Sequence, residues 1–337
     1  MLRLSFDFLS VGQRDFRTLL QDVEFSRYNA FATGSYSNLR TQVRSYFAFC
    51  VYFQRTPLPA DAPTIYAFAQ FLSRSIKPPS VKNYLSGVKM LHILHGLPYP
   101  YSQDSLLHLE LRGIFRLNPH VPVRAIPVTP GILQLVHLHM DHSDSLHRSV
   151  WVCCLFSFYL MARLGSILPN SGSTESHKFL SHDRINFTSQ GLLVTFLHTK
   201  TIQFGKRRLH MPLLRADSIL CPVTAYHYYL SLLPSEPSGP AFLFFNNNKH
   251  KLQLLTTSRF ITTFRTILKL GGVKHAASFT GHSFRRGGAS WAFQSGVPGE
   301  LIQICGDWAS DSYKRYLEFS MDNKVHLAAR LTRNLPC

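Results

Sequence analysis

Residues 118–130, NPHVPVRAIPVTP, carry four prolines and follow neither a helical nor a strand period. Proline fixes φ and removes a backbone donor, so neither a helix nor a central strand crosses such a stretch. The segment therefore predicts two separately folded parts: an N-terminal domain over 1–117, a linker over 118–128 and a second domain over 129–337. The length of 337 residues agrees, because a single hydrophobic core rarely grows beyond about 250–300 residues.

The N-terminal part reads as helices. Ser37 caps a helix with the apolar face Leu39, Val43, Phe47 and Val51, and PLPADAP at 57–63 ends it. Asp61 or Thr64 opens a second helix that buries Ile65, Phe68 and Leu72. KPPS stops it, and Ser80 caps a third helix. There Val81, Tyr84, Leu85, Val88 and Leu91 are spaced for burial, while Lys82 and Lys89 share the other face. A Leu-rich fourth helix runs over about 104–117.

Beyond the linker, Thr129 and Pro130 read as helix cap and first helical residue. The apolar run from Val150 to Ala162, with Cys153 and Cys154, is a buried core helix too short for a bilayer. The period then changes. Alternation over 184–187, the turn Ser189-Gln190-Gly191, alternation at Leu192, Val194 and Phe196, the turn Gln203-Phe204-Gly205 and alternation over 207–211 predict a small three-stranded antiparallel sheet. From Pro222 onward the chain reads as mostly helical. The expected class is mainly α (α+β).

The charge narrows the function. Lys and Arg number 36 against 18 Asp and Glu, a formal +18, spread over both parts with no like-charge tail. Folded surfaces therefore carry it, which points to a polyanion, nucleic acid before an anionic membrane surface. At 45% hydrophobic the chain is not disordered. Asp7 and Asp15 interrupt any signal-like apolar run, and six cysteines without a CxxC pair predict reduced thiols and an intracellular protein, nuclear if the source is eukaryotic. GxGxxG, GxxxxGK[ST], GxSxG and HExxH are all missing. His137, His139, Asp141 and His142 cluster in sequence, but a helix places them on opposite faces, so no metal site is expected.

The informative stretch is FTGHSFRRGGASWAFQSGVPGELIQICGDWASDSYKRYLEFS, residues 279–320. Thr280 caps a helix with His282 and Arg285 on one face, Gly296 ends it, Pro298 starts a second helix ending near Gly306, and Ser310 caps a third bearing Tyr313 and Tyr316. Two short breaks thus gather a His, an Arg, an indole and two phenols at neighbouring helix ends.

HSFR, GDW and a tyrosine eight residues past the tryptophan resemble the tyrosine recombinase (phage integrase) family, closest in look to the Crypton-like and DIRS-like recombinases of eukaryotic mobile elements. The resemblance covers most of the chain, with SVKNYLSGVKMLH typical of the core-binding domain. It implies a C-shaped clamp on double-stranded DNA, a dimer on each site and a synaptic tetramer, no cofactor, and DNA cleavage through a 3′-phosphotyrosyl ester by a type IB topoisomerase-like route. The family's set of Arg, Lys, His-x-x-Arg, His or Trp, and Tyr maps onto Arg163, Lys200, His282, Arg285, Trp308 and Tyr316. Lys206 is a rival for Lys200, and Tyr313 for Tyr316. Lys82, Lys89, Lys206, Arg207, Arg208 and Arg286 are expected at phosphates.

The roles agree with the chemistry. Two guanidiniums clamp the non-bridging oxygens of an anionic diester, His and indole N–H groups donate to them, and a Lys protonates the leaving oxygen. In many members an acid stands three residues after the first Arg, where this chain has Ser166. In relatives the tail docks on a neighbouring protomer, which marks Leu327, Leu331 and Leu335 for a swapped contact. A catalytically inactive, domesticated DNA-binding remnant of such an enzyme is the alternative reading.

Overall fold

The computed structural model describes residues 16–99, 105–121, 124–170, 178–202, 207–231, 239–246, 250–317 and 321–333. The chain divides into two compact units, 1–123 and 124–337.

The first unit contains α1 (Phe16–Tyr28), α2 (Thr33–Tyr52), α3 (Ala62–Ser73), α4 (Pro78–Leu94) and α5 (Ser105–Leu117). Asp61 caps α3 as expected, accepting from the Thr64 amide. Helix α2 differs from the reading in phase. It starts before Ser37, and its buried side chains are Tyr46, Phe49 and Cys50, while Val51 is 78% exposed. Steps of four residues turn about 40° past a full helical turn, so a stripe continued as i+4 drifts off the core, and 39, 43, 46, 50 stays on it. Helix α4 starts at Pro78 rather than at Ser80, because proline at the first helical position needs no donor. Ile65, Phe68, Leu72, Val81, Leu85, Val88 and Leu91 form the core with Leu107, Leu111 and Ile114 of α5. Lys82 and Lys89 stay exposed, their ammonium groups over the rings of Phe115 and Tyr99.

The second unit is organised around α7 (Ser145–Tyr159), which is buried on nearly every side and packs against α9 (Pro222–Leu230), α11 (Gly281–Gln294) and β4 (Leu243–Asn246). Thr129 caps α6 (Pro130–His139) through the Ile132 amide. Strands β1 (Ile185–Phe187), β2 (Gly191–Phe196) and β3 (Leu209–Leu214) form the expected antiparallel sheet in the order β1-β2-β3, with Val194 opposite both Ile185 and Met211. The expected turn at 203–205 lies outside the described residues. A second sheet was not anticipated: β4 pairs antiparallel with β5 (Lys251–Leu254). Helix α10 (Thr257–Leu270) follows, capped by Thr256.

Two adjacent glycines set how closely α11 packs. A Cβ on Gly287 would fall 1.8 Å from the carbonyl oxygen of Val128, and one on Gly288 would fall 2.0 Å from that of Phe158. Glycine in a helix interior costs roughly 0.5–1 kcal/mol relative to alanine, and here it permits backbone-to-backbone contact. The Val128 amide donates to the Ser283 carbonyl at 3.0 Å. Residues 124–128 of the expected linker thus pack into this unit. Among the described residues no helix is long and apolar enough to cross a membrane.

Candidate active site

Arg163, Lys200, His282, Arg285, Trp308 and Tyr316 all lie in the second unit. Arg163 follows the end of α7, at the cap of the short α8 (Leu164–Ile167). The chain turns there through Met161, whose φ of +47° lies in the left-handed region, a conformation costing a non-glycine residue about 1–3 kcal/mol. That turn aims the Met161 carbonyl at Arg285, which donates to it through Nη1 at 2.6 Å.

Arg285 is the centre of the arrangement. It is only 2% exposed, and its guanidinium carbon sits 3.7 Å from the centroid of the Trp308 ring. Nη2 is buried and has no acceptor among the described residues. Burial first, and then the neighbouring Arg163, push the guanidinium down to about 9, so it remains charged at neutral pH. A buried cation held by a carbonyl and an indole face, with one donor left over, is prepared for an anionic oxygen.

His282 stands in the first turn of α11, where Thr280 and Ser283 form a reciprocal capping box. Desolvation of the ring, followed by the positive field of Arg285, Arg163 and Lys200, holds the imidazole below its usual range. It is therefore neutral at pH 7 and able to accept a proton. Lys200, exposed just beyond β2, contributes to that positive field.

The third expected helix is instead a 3-10 turn over Asp311–Arg315, and Tyr316 caps its C-terminal end. The Ser290 hydroxyl donates to the Tyr316 carbonyl, and the Tyr316 ring lies 5.6 Å from the Trp308 ring. The Tyr316 side chain is half-buried. Tyr313, by contrast, is buried against Gly299 and Trp308.

Two arginines expected at phosphates have partners within the protein. Arg207 pairs with the buried carboxylate of Asp307. Arg286 is buried and donates to the Ala125 carbonyl at 3.1 Å, fastening α11 to the last part of the expected linker. Arg208 is exposed, and Lys206 lies outside the described residues, as do the side chains of Leu327 and Leu331 and all of Leu335. His137 and His142 meet at 4.6 Å between ring centroids, but no group of metal-binding side chains gathers among the described residues.

Asp307 was missed. It accepts from Thr199 and Thr201 as well as from Arg207, and with Ser166, Arg163 and Arg285 it lines a cavity of about 10 Å³, room for one water at most. The sequence signal for it is weak, since the acid sits one residue past the glycine expected to end α12 (Gly299–Cys305).

No family model and no curated protein matches the chain. Solved structures do. The chain is similar to lambda integrase residues 75–356, determined as a dimer bound to a COC′ core site, with TM-score 0.56 and 12% identity over 89% of this chain and 94% of that one. The fold is that of the tyrosine recombinases. A second similar structure is the Tn1549 transposon integrase, residues 82–397, in complex with circular intermediate DNA (TM-score 0.56, 12% identity, 93% of this chain, 98% of that one). A third is the XerH site-specific recombinase bound to its palindromic difH substrate after cleavage (TM-score 0.52, 13% identity, 86% and 77%). At these identities the likeness is one of fold, and the chemistry rests on the residues above.

Proposed function

We propose that the protein is a site-specific DNA recombinase that cuts and rejoins DNA strands through a covalent 3′-phosphotyrosyl intermediate. The observation that carries this reading is the buried guanidinium of Arg285, which keeps Nη2 without an acceptor among the described residues and has Arg163, His282, Trp308 and Tyr316 around it. A scissile phosphate between Arg163 and Arg285 supplies an acceptor for Nη2 of Arg285.

Each group then has a defined task. The two arginines neutralise the charge that grows on the non-bridging oxygens in the pentacoordinate transition state. The Tyr316 Oη–P bond forms as the P–O5′ bond breaks. The phenol proton passes to neutral His282, and the leaving O5′ takes a proton from the Lys200 ammonium. Trp308 holds Arg285 over its ring as a cation–π platform. Attack by the 5′-hydroxyl of another strand reverses these steps. The phosphotyrosyl ester conserves the bond energy, so no nucleotide is consumed.

The distributed +18 supports binding along a duplex, with Lys82, Lys89 and Arg208 exposed for phosphates. Assembly as a dimer on each site and a tetramer at synapsis belongs to the same reading. So do a domain boundary at the proline segment and placement among Crypton-like or DIRS-like elements, the last of which rests on the 279–320 motif alone.

The test is a nicked suicide substrate carrying the true site. Wild-type protein and Tyr313→Phe should trap a nucleotide on Tyr316, identified by peptide mass spectrometry, and Tyr316→Phe should bind DNA without an adduct. An adduct on Tyr313, or tight binding with no tyrosyl adduct, would sink the assignment and leave the DNA-binding remnant standing.

A further inference from the structure

Helix α12 ends in a backbone arrangement that ordinarily calls for glycine. The Asp307 amide donates to the Ile304 carbonyl and the Trp308 amide to the Gln303 carbonyl, both at 3.1 Å. These two bonds make a Schellman turn, whose left-handed residue is usually glycine. Here that residue is Asp307, with φ +54°, although Gly306 stands one position earlier. The backbone conformation alone would favour glycine at 307, so its energetics do not explain the carboxylate.

The carboxylate is 6% exposed and fully engaged. One oxygen pairs with Arg207; the other accepts from the hydroxyls of Thr199 and Thr201. Thr199 Oγ1 also accepts from the amides of Thr201 and Ile202, at 3.2 and 3.0 Å, and so organises the backbone on either side of Lys200. Residues before and after the hairpin tip therefore converge on one acid, 100 to 108 positions away in sequence, whose next residue is Trp308.

We propose that Asp307 is a positioning residue: its carboxylate latches the β2–β3 hairpin that carries Lys200 to the end of α12 that carries Trp308, and so fixes the Lys200 ammonium relative to the Arg285–Trp308 stack. The catalytic consequence rests on the proposed role of Lys200 as the proton donor to O5′, whereas the latch itself does not.

Asp307→Gly relaxes the backbone and removes the carboxylate, and Asp307→Asn keeps the shape and removes the charge. Hydrogen exchange on the full-length variants reads the latch without DNA. Protection of the amides at 199–202 should fall about tenfold or more in Asp307→Gly, with the 192–194 ladder unchanged. Asp307→Asn should fall between Asp307→Gly and wild type. Unchanged protection at 199–202 overturns the proposal.

The second readout is cleavage. Asp307→Gly should form the tyrosyl adduct about tenfold or more slowly on an ordinary phosphodiester. It should come within about threefold of wild type on a 5′-bridging phosphorothiolate, where the P–S bond breaks and the thiolate leaves without a proton. Equal slowing on both substrates overturns the route through Lys200. A wild-type protein that forms no adduct on either substrate counts against the recombinase reading, and hydrogen exchange still decides the latch.

Discussion

Replacing Arg285 with methionine separates what this residue does for the fold from what it does for an anion. A single buried guanidinium loses several kcal/mol of hydration. Against that stand one charge-assisted bond, to the Met161 carbonyl at 2.6 Å, of about 1.5–3 kcal/mol, and a desolvated cation–π contact of about 2 kcal/mol. These nearly cancel. Asp307 adds little more, because its oxygens are taken by Thr199, Thr201 and Arg207. Methionine spans much of the same length, packs on Trp308 and leaves no donor unsatisfied. Replacing a whole buried ion pair by apolar groups is commonly neutral or stabilising by about 1–4 kcal/mol, and Arg285 has even less charge pairing to lose. Arg285→Met should therefore leave the free protein as stable as wild type or more so, raising the melting temperature by up to about 16 °C at about 2–4 °C per kcal/mol. Sulfate or vanadate should raise the melting temperature of wild type and not of the variant. Adduct formation should fall by at least about 10²–10³ with the loss of an oxyanion donor. Differential scanning fluorimetry with and without the anion, together with suicide-substrate kinetics, tests all three expectations. Clear destabilisation of Arg285→Met, or equal stabilisation of both proteins by sulfate, would show that Arg285 is a structural cation and refute the reasoning.

Three further outcomes are expected. Desolvation and three neighbouring cations lower the His282 pKa, so the accepting, neutral form persists as pH falls. The second-order rate of adduct formation, which reports the free enzyme, should drop only below pH 6.5, and a midpoint above that value would argue against His282 as the base. Binding to a DNA duplex should weaken by about 10³–10⁵ between 50 and 200 mM salt if six to ten phosphates are neutralised; a flat titration would remove the duplex-tracking surface. Gly288→Ala should destabilise the protein by about 1–3 kcal/mol in chemical denaturation, because overpacking outweighs alanine's better helix propensity. Its Cβ would fall 2.0 Å from the Phe158 carbonyl oxygen, and unchanged stability would mean that the α7–α11 contact is loose.

Local chemistry was legible wherever neighbours in sequence are neighbours in space. Asp61 and Thr129 were readable as caps because a side-chain oxygen reaches an amide three residues on, and the β1–β2–β3 sheet was readable from its alternation and turns. The ordered series Arg163, Lys200, His282, Arg285, Trp308, Tyr316 was visible as a motif. Apolar residues alone did not settle phase. Leu39 and Val43 begin the buried face of α2, but Val51 is solvent-facing, because packing with α3 and α4 selects the true 3.6-residue stripe. The β4–β5 hairpin escaped notice, although a polar NNNKH interrupts the apolar runs on either side. By itself the sequence determined helices, caps, the sheet and the residue types able to handle a phosphodiester. Tertiary structure decided which charges find partners within the protein. Arg286 looks like a surface cation yet is buried on the Ala125 carbonyl, and the exposed Arg207 pairs with the buried Asp307, 161 and 100 positions away. Burial and pairing of a charge are set by what the fold brings against it from distant sequence, and the solvation energy at stake is too large for local pattern to decide.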